Sequence, residues 1–284
     1  MLQLELALLL LLLSQARSEC LCAPAGRLCG VSRGRRVVGG GRARAGDLPW
    51  TALIVYQEAG EEGTKRCGGS LINDRYVLTS AACVDHAVSM TVYLGAEDLN
   101  NLAEKLGRTV LRMRITSEPI IHPRFSLDQS KEVKFNFALL RLPRAVPFHQ
   151  FAHIRPVCLP APASASGANH TGLEAVTAGF GQQKIARYEG GILRKGFGRD
   201  LAKFLQKLTL TILDSKSCDD SWTQLTSSFR TDPDHLCAVS QSGDICDGDK
   251  GSGLVVADCS SDSVELLGVA SFTHGQSSGT GSLH

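Results

Sequence analysis

From Val37 onward the chain alternates between short runs suited to β-strands and clusters of turn-forming residues. WTALIVYQ (50–57), GGSLI (68–72), YVLTSAA (76–82), SMTVYLG (89–95) and TVLRMRI (109–115) stand in its first half. FALLRL (137–142), LEAVTAGFG (173–181), LQKLTLTIL (205–213), SGLVVA (252–257) and VELLGVASF (264–272) follow. Branched and aromatic side chains suit a pleated, half-buried surface, and Gly, Pro, Asn and Asp supply the reversals between strands. Many short strands at this spacing predict an all-β barrel or sandwich. Residues 161–172, APASASGANHTG, break the pattern and predict an exposed connection between two halves. No internal repeat of short period is present.

With 284 residues, 43% of them hydrophobic, the chain can bury a substantial core in one large domain or two small ones. A net charge of +2 argues against a general polyanion binder, and no nucleic-acid partner is expected. Residues 6–13, LALLLLLL, followed by Ser14-Gln15-Ala16-Arg17-Ser18, read as a signal peptide spanning 1–18, although the first five residues carry Glu5 and no Lys or Arg. The apolar block is well short of the roughly 20 residues that a membrane span needs, so a secreted protein is expected. In an exported chain, ten cysteines point to disulfides. Cys20-x-Cys22 has no second pair at zinc-finger spacing, so neither metal nor cofactor is expected. Residues 19–36 are short, basic and Cys-containing, which reads as a propeptide-like tail. The sequon Asn169-His170-Thr171 is a glycosylation candidate. Lys184, Arg187, Arg194, Lys195, Arg199, Lys203 and Lys207 make 184–207 locally basic, a pattern that suits a solvated loop and strand edge.

Three stretches carry the chemistry: RVVGG (36–40), CGGSLINDRYVLTSAAC (67–83) and GDICDGDKGSGLVV (243–256), with HPRF (122–125), FALLRL (137–142) and RPVCLP (155–160) between them. In that order and spacing they resemble the chymotrypsin/trypsin-like serine proteases, and most of all their invertebrate immune type. The likeness covers residues 29 to about 273 and implies two six-stranded antiparallel Greek-key barrels, with the active site between them. It also implies a catalytic His just before Cys83, where this chain has Ala82, and an Asp before the ALL strand, where it has Asn136. The Ser of G-D-S-G-G is replaced by Lys250. Alanine cannot accept a proton, a neutral amide cannot stabilise an imidazolium, and no serine stands at the nucleophile position. The expected protein is therefore a catalytically inactive homologue. The alternative is trypsin-like cleavage after Arg or Lys through a displaced set, with Ser252 as nucleophile, His86 nearby, or Lys250 as an amine.

Further roles follow from the same resemblance. Arg36–Val37 is the activation bond, whose cleavage frees the Val37 ammonium to pair with Asp249. Gly248 and Lys250 supply the oxyanion-hole-like backbone donors, and Asp244, Ser271, Phe272 and Thr273 form the specificity-pocket-like wall. The implied disulfides are Cys67–Cys83, Cys218–Cys237 and Cys29–Cys158, the last holding the tail to the body. The partners of Cys20, Cys22, Cys246 and Cys259 are left open. Ala96, where calcium-binding relatives carry an acid, argues against a calcium site. In HGQSSGTGSLH (274–284) neither the family's last strand nor its C-terminal helix is evident, so an open second barrel is expected, on a domain spanning 37–284. The function implied is that of a secreted cofactor, decoy or regulator in a proteolytic cascade such as coagulation or innate immunity. Its partners would be extracellular proteases, their substrates or inhibitors.

Overall fold

The structure is a computed structural model that describes residues 29–30, 41–44, 46–127, 133–160, 169–189, 192–223, 235–240, 245, 248–258, 263–273 and 280–283. Two antiparallel sheets dominate. The first has the order β6-β5-β2-β3-β4-β10-β7, built from β2 (Thr51–Glu58), β3 (Lys65–Leu71), β4 (Tyr76–Thr79), β5 (Ala87–Leu94), β6 (Leu111–Arg114), β7 (Ile120–Ile121) and β10 (Ala138–Arg141). Ala52, Ile54 and Tyr56 on β2, with Met90, Val92 and Leu94 on β5, supply its alternating buried face. A two-stranded pair, β8 (Ser126–Leu127) and β9 (Val133–Lys134), lies outside it.

The second sheet contains β11 (Glu174–Gly179), β14 (Gln206–Leu213), β15 (Leu236–Val239), β16 (Gly253–Asp258), β17 (Ser263–Thr273) and β18 (Thr280–Leu283), with β1 (Gly41–Arg42) on the outside of β14. The pairing runs β14-β11-β16-β17-β18-β15 and returns from β15 to β14, so the sheet closes on itself. This corrects the expectation of an open second barrel. Residues 280–283 pair with β17 on one side and β15 on the other. Ladder hydrogen bonds on both sides hold the Gly/Ser-rich TGSL in a strand that its composition does not announce.

Among the described residues β12 (Gln182–Glu189) and β13 (Ile192–Leu201) pair only with each other, as a two-stranded ribbon. The core is continuous between the barrels: Val176, Phe180, Leu205, Val255 and Leu266 of the second half cluster with Trp50, Ile54 and Leu140 of the first. Backbone bonds from Leu99 N–H to Lys203 O (2.8 Å) and from Leu205 N–H to Glu97 O (2.9 Å) join the two halves. Among the described residues there are three disulfides, Cys29–Cys158, Cys67–Cys83 and Cys218–Cys237. Cys20, Cys22, Cys246 and Cys259 lie outside the described residues.

Candidate functional site

The first sheet supplies one side of the site. β4 ends at Thr79, and Ser80 leads into a single 3₁₀ turn, Ala81–Cys83, which the Cys67–Cys83 disulfide ties to β3. Asn136 precedes β10, the strand paired with β4, and so arrives beside this turn. Its Oδ1 accepts from Ala82 N–H at 2.9 Å and from Ser80 Oγ at 3.0 Å, while its Nδ2 donates to Ser271 Oγ at 2.7 Å. Asn136 is 1% exposed. Buried polar groups need such partners, and an amide, with one acceptor end and one donor end, meets this set without carrying a charge out of water. The Ala82 methyl is exposed and offers no atom that can hold a proton.

The second sheet supplies the facing turn. Gly248 (φ 95°) and Gly251 (φ 85°) adopt left-handed conformations around Asp249 and Lys250. A side chain at Gly251 would collide with Thr79 Oγ1 and Gly68 O, so the turn sits flush against the first sheet. Lys250 O accepts from Gly68 N–H at 2.7 Å, and Gly251 N–H donates to Ala270 O at 2.7 Å. The Lys250 side chain is exposed at this junction. Asp249 points the other way: its Oδ1 accepts from Gly181 N–H at 2.7 Å, and a side chain at Gly181 would overlap the carboxylate.

Ser252 is 1% exposed, its Oγ has no hydrogen-bond partner among the described residues, and a side chain on Gly68 would strike it. His86 is exposed, and its ionic partner is Asp85 at 3.5 Å. Among the described residues, no hydrogen bond or ion pair joins Ser252 to His86. Ser80, Gly68 and Gly181 are contributors that sequence reasoning misses. Of these, only Ser80, whose hydroxyl stands beside that of Thr79 in an otherwise apolar stretch, leaves a trace in the sequence.

Arg66, on β3, is half-buried and donates to Ala202 O at 3.4 Å; burial lowers the pKa of its guanidinium. Ser271 is buried in β17, whose backbone continues through Phe272 and Thr273. Asn169 is exposed. Arg36, Val37 and Asp244 lie outside the described residues.

Sequence comparison decides what scaffold this is. The Trypsin family model matches residues 37–282. The chain belongs to the trypsin family. It is 31% identical over 252 residues to CLIP domain-containing serine protease B4 of Anopheles gambiae, covering 86% of this chain and 64% of that protein. It is 31% identical over 271 residues to Melanization protease 1 of Drosophila melanogaster, covering 90% of this chain and 63% of that protein. This trypsin-family chain therefore spans a little under two thirds of the length of these relatives. The solved structure of GrC shares its fold, with a TM-score of 0.65 at 23% identity over 87% of this chain and 93% of that one.

Proposed function

We propose that this trypsin-family chain is a secreted, non-catalytic homologue that regulates an extracellular proteolytic cascade by binding a protease, its substrate or its inhibitor. The observation that carries this reading is Asn136. Its amide holds Ala82 N–H, Ser80 and Ser271 in one network, while Ala82 itself presents only a methyl group. In this reading Ala82, Asn136 and Lys250 occupy the triad positions, so no general base, orienting carboxylate or serine is present to work in concert. Such a scaffold retains at most the ~10³–10⁴-fold effect of oxyanion donors and substrate binding over water. The relatives' names, a melanization protease and CLIP-domain proteases among them, support the cascade setting. The three disulfides support an extracellular one.

Residues 1–18 then serve as signal, 19–36 as propeptide and 37–284 as the protease-like domain, glycosylated at Asn169. Cleavage at Arg36 would send the Val37 ammonium to Asp249, whose Oδ1 accepts from Gly181 N–H. Asp244, with Ser271, Phe272 and Thr273, would line the specificity pocket.

The test is hydrolysis of Arg and Lys ester and amide substrates by the purified protein, cut at Arg36 and verified by N-terminal sequencing. Turnover at the buffer rate is expected. Turnover that a serine-directed inhibitor abolishes would overturn the reading.

A further inference from the structure

Ile54, Val92 and Met113 lie on the buried face of the first sheet, so the residues that alternate with them in β2, β5 and β6 belong to its outer face. The register sets that outer face in rows. One runs Arg66–Val55–Thr91–Arg114 across β3, β2, β5 and β6, and the next places Tyr93 beside Arg112. Arg112 and Arg114 are exposed, while Arg66, Val55, Thr91 and Tyr93 are half-buried. Arginines thus stand at both ends of a row whose middle is filled by two small, branched side chains.

This face carries cations without matching anions. Among the described residues no carboxylate pairs with Arg66, Arg112 or Arg114. The carboxylates at the end of the β2–β3 hairpin, Glu58 and Glu61, are both held by Lys65 at 2.7 Å. Arg66 is the costlier case. Burial lowers the pKa of its guanidinium, and its hydrogen bond is the long one to Ala202 O, at 3.4 Å. A guanidinium drawn partly out of water is stabilised by a charged acceptor, and its planar fork suits the oxygens of a tetrahedral anion. Arg112 and Arg114, two positions apart on one strand, are separated by about 7 Å, so a linear polyanion meets them in succession.

We propose that this face binds a sulfated glycan chain, with Arg112, Arg114 and Arg66 on its sulfates and Thr91 and Tyr93 against its sugar hydroxyls and rings. An acidic polypeptide would meet the same charge, but it gains no ladder here. β5 is already paired with β2 on one side and β6 on the other, so a peptide laid over it cannot add as a strand. The hydroxyls of Ser89, Thr91 and Tyr93 instead suit a ligand that is itself rich in hydroxyl groups. A net charge of +2 does not oppose this, since the local patch and not the whole chain meets the glycan. Binding here does not involve the Lys250 turn, so this idea and the non-catalytic reading fail separately.

The experiment measures fluorescence anisotropy of a labelled heparin oligosaccharide titrated with the purified protein in about 0.1 M NaCl. Binding is expected to weaken about tenfold in R112Q/R114Q and about threefold in R66Q, with a shallower dependence on salt in both. It should change less than about twofold in R141Q/R144Q, which removes two exposed charges at and beyond the end of β10, at least four strands from β6. Ligand-free melts of the two double variants should superimpose on that of the native protein. Saturating oligosaccharide should then raise the melting temperature of the native protein and of R141Q/R144Q, but not of R112Q/R114Q. Equal weakening in the two double variants, no binding at all, or undiminished binding of the desulfated oligosaccharide overturns the proposal. So does tighter binding of a polyglutamate of equal charge that R112Q/R114Q abolishes, which would assign the face to an acidic polypeptide.

Discussion

Asn136 stands where it must satisfy two donors and one acceptor in a site sealed from water. Replacing it by Leu leaves the Ala82 N–H and two hydroxyls without partners, and urea unfolding should show a loss of about 2–3 kcal/mol. Ser252 is the opposite case. Its hydroxyl is buried and unpaired among the described residues, so Ser252→Ala should leave the urea midpoint unchanged or raise stability by up to about 1 kcal/mol. A clear destabilisation would show that the hydroxyl has a partner. The candidate positions Ala82, Asn136 and Lys250 stand out in the sequence because flanking residues fix their register. What holds them could not. Nothing in the spacing says that Ser80 and Ser271 converge on one amide, or that Gly68 seals Ser252 away, because these meetings depend on segments more than 50 residues apart.

At the scale of elements, the Ser215–Thr223 helix begins at Asp214, whose Oδ1 accepts from Ser217 N–H at 2.8 Å and Oδ2 from Ser217 Oγ at 2.7 Å. The Ser217 hydroxyl and then its N–H hold the Asp214 carboxyl below its usual pKa. A lowered folded-state pKa gives stability that is present above the ordinary carboxylate range and is lost as pH falls through the lowered value. Asp214→Ala should therefore melt lower than the native protein at neutral pH, with the gap closing below about pH 4. For Cys67–Cys83, which closes a sequence separation of 16, replacing both cysteines by Ala should cost about 3 kcal/mol in urea. It should also speed amide exchange at Ala82. Most strands were readable from the alternation of branched apolar residues, LQKLTLTIL for β14 and LEAVTAGFG for β11 among them. The ribbon, β18, β15 and the two-residue strands were not read. The ribbon and β18 are strands because of what they pair with, and their sequences show no apolar alternation for periodicity to detect.

At the scale of the molecule, one apolar cluster spans both barrels beside a second cluster inside the second barrel, and the barrels exchange backbone hydrogen bonds at 97–99 and 203–205. Calorimetry should accordingly show a single transition whose calorimetric and van't Hoff enthalpies agree. Leu205→Ala, in that shared core, should lower stability by about 2–4 kcal/mol without splitting the transition. Two separated peaks would mean that the barrels are independent units. This coupling was illegible in the sequence, since main-chain contacts carry no residue signature. The Cys29–Cys158 bond has a consequence of a different kind. Its separation of 129 makes more than a third of the chain a covalent ring. Gly30 fixes the clasp against Pro156 O and Val264 N–H, where a side chain would meet Val264 at 2.8 Å. Topologically, one break of the backbone within that ring converts a loop into a line and detaches nothing. A nicked molecule keeps its mass, apart from one added water, and travels as a single species until a thiol opens the clasp. Non-reducing electrophoresis is therefore blind to such a nick, and only reduced samples can count the molecules that carry it.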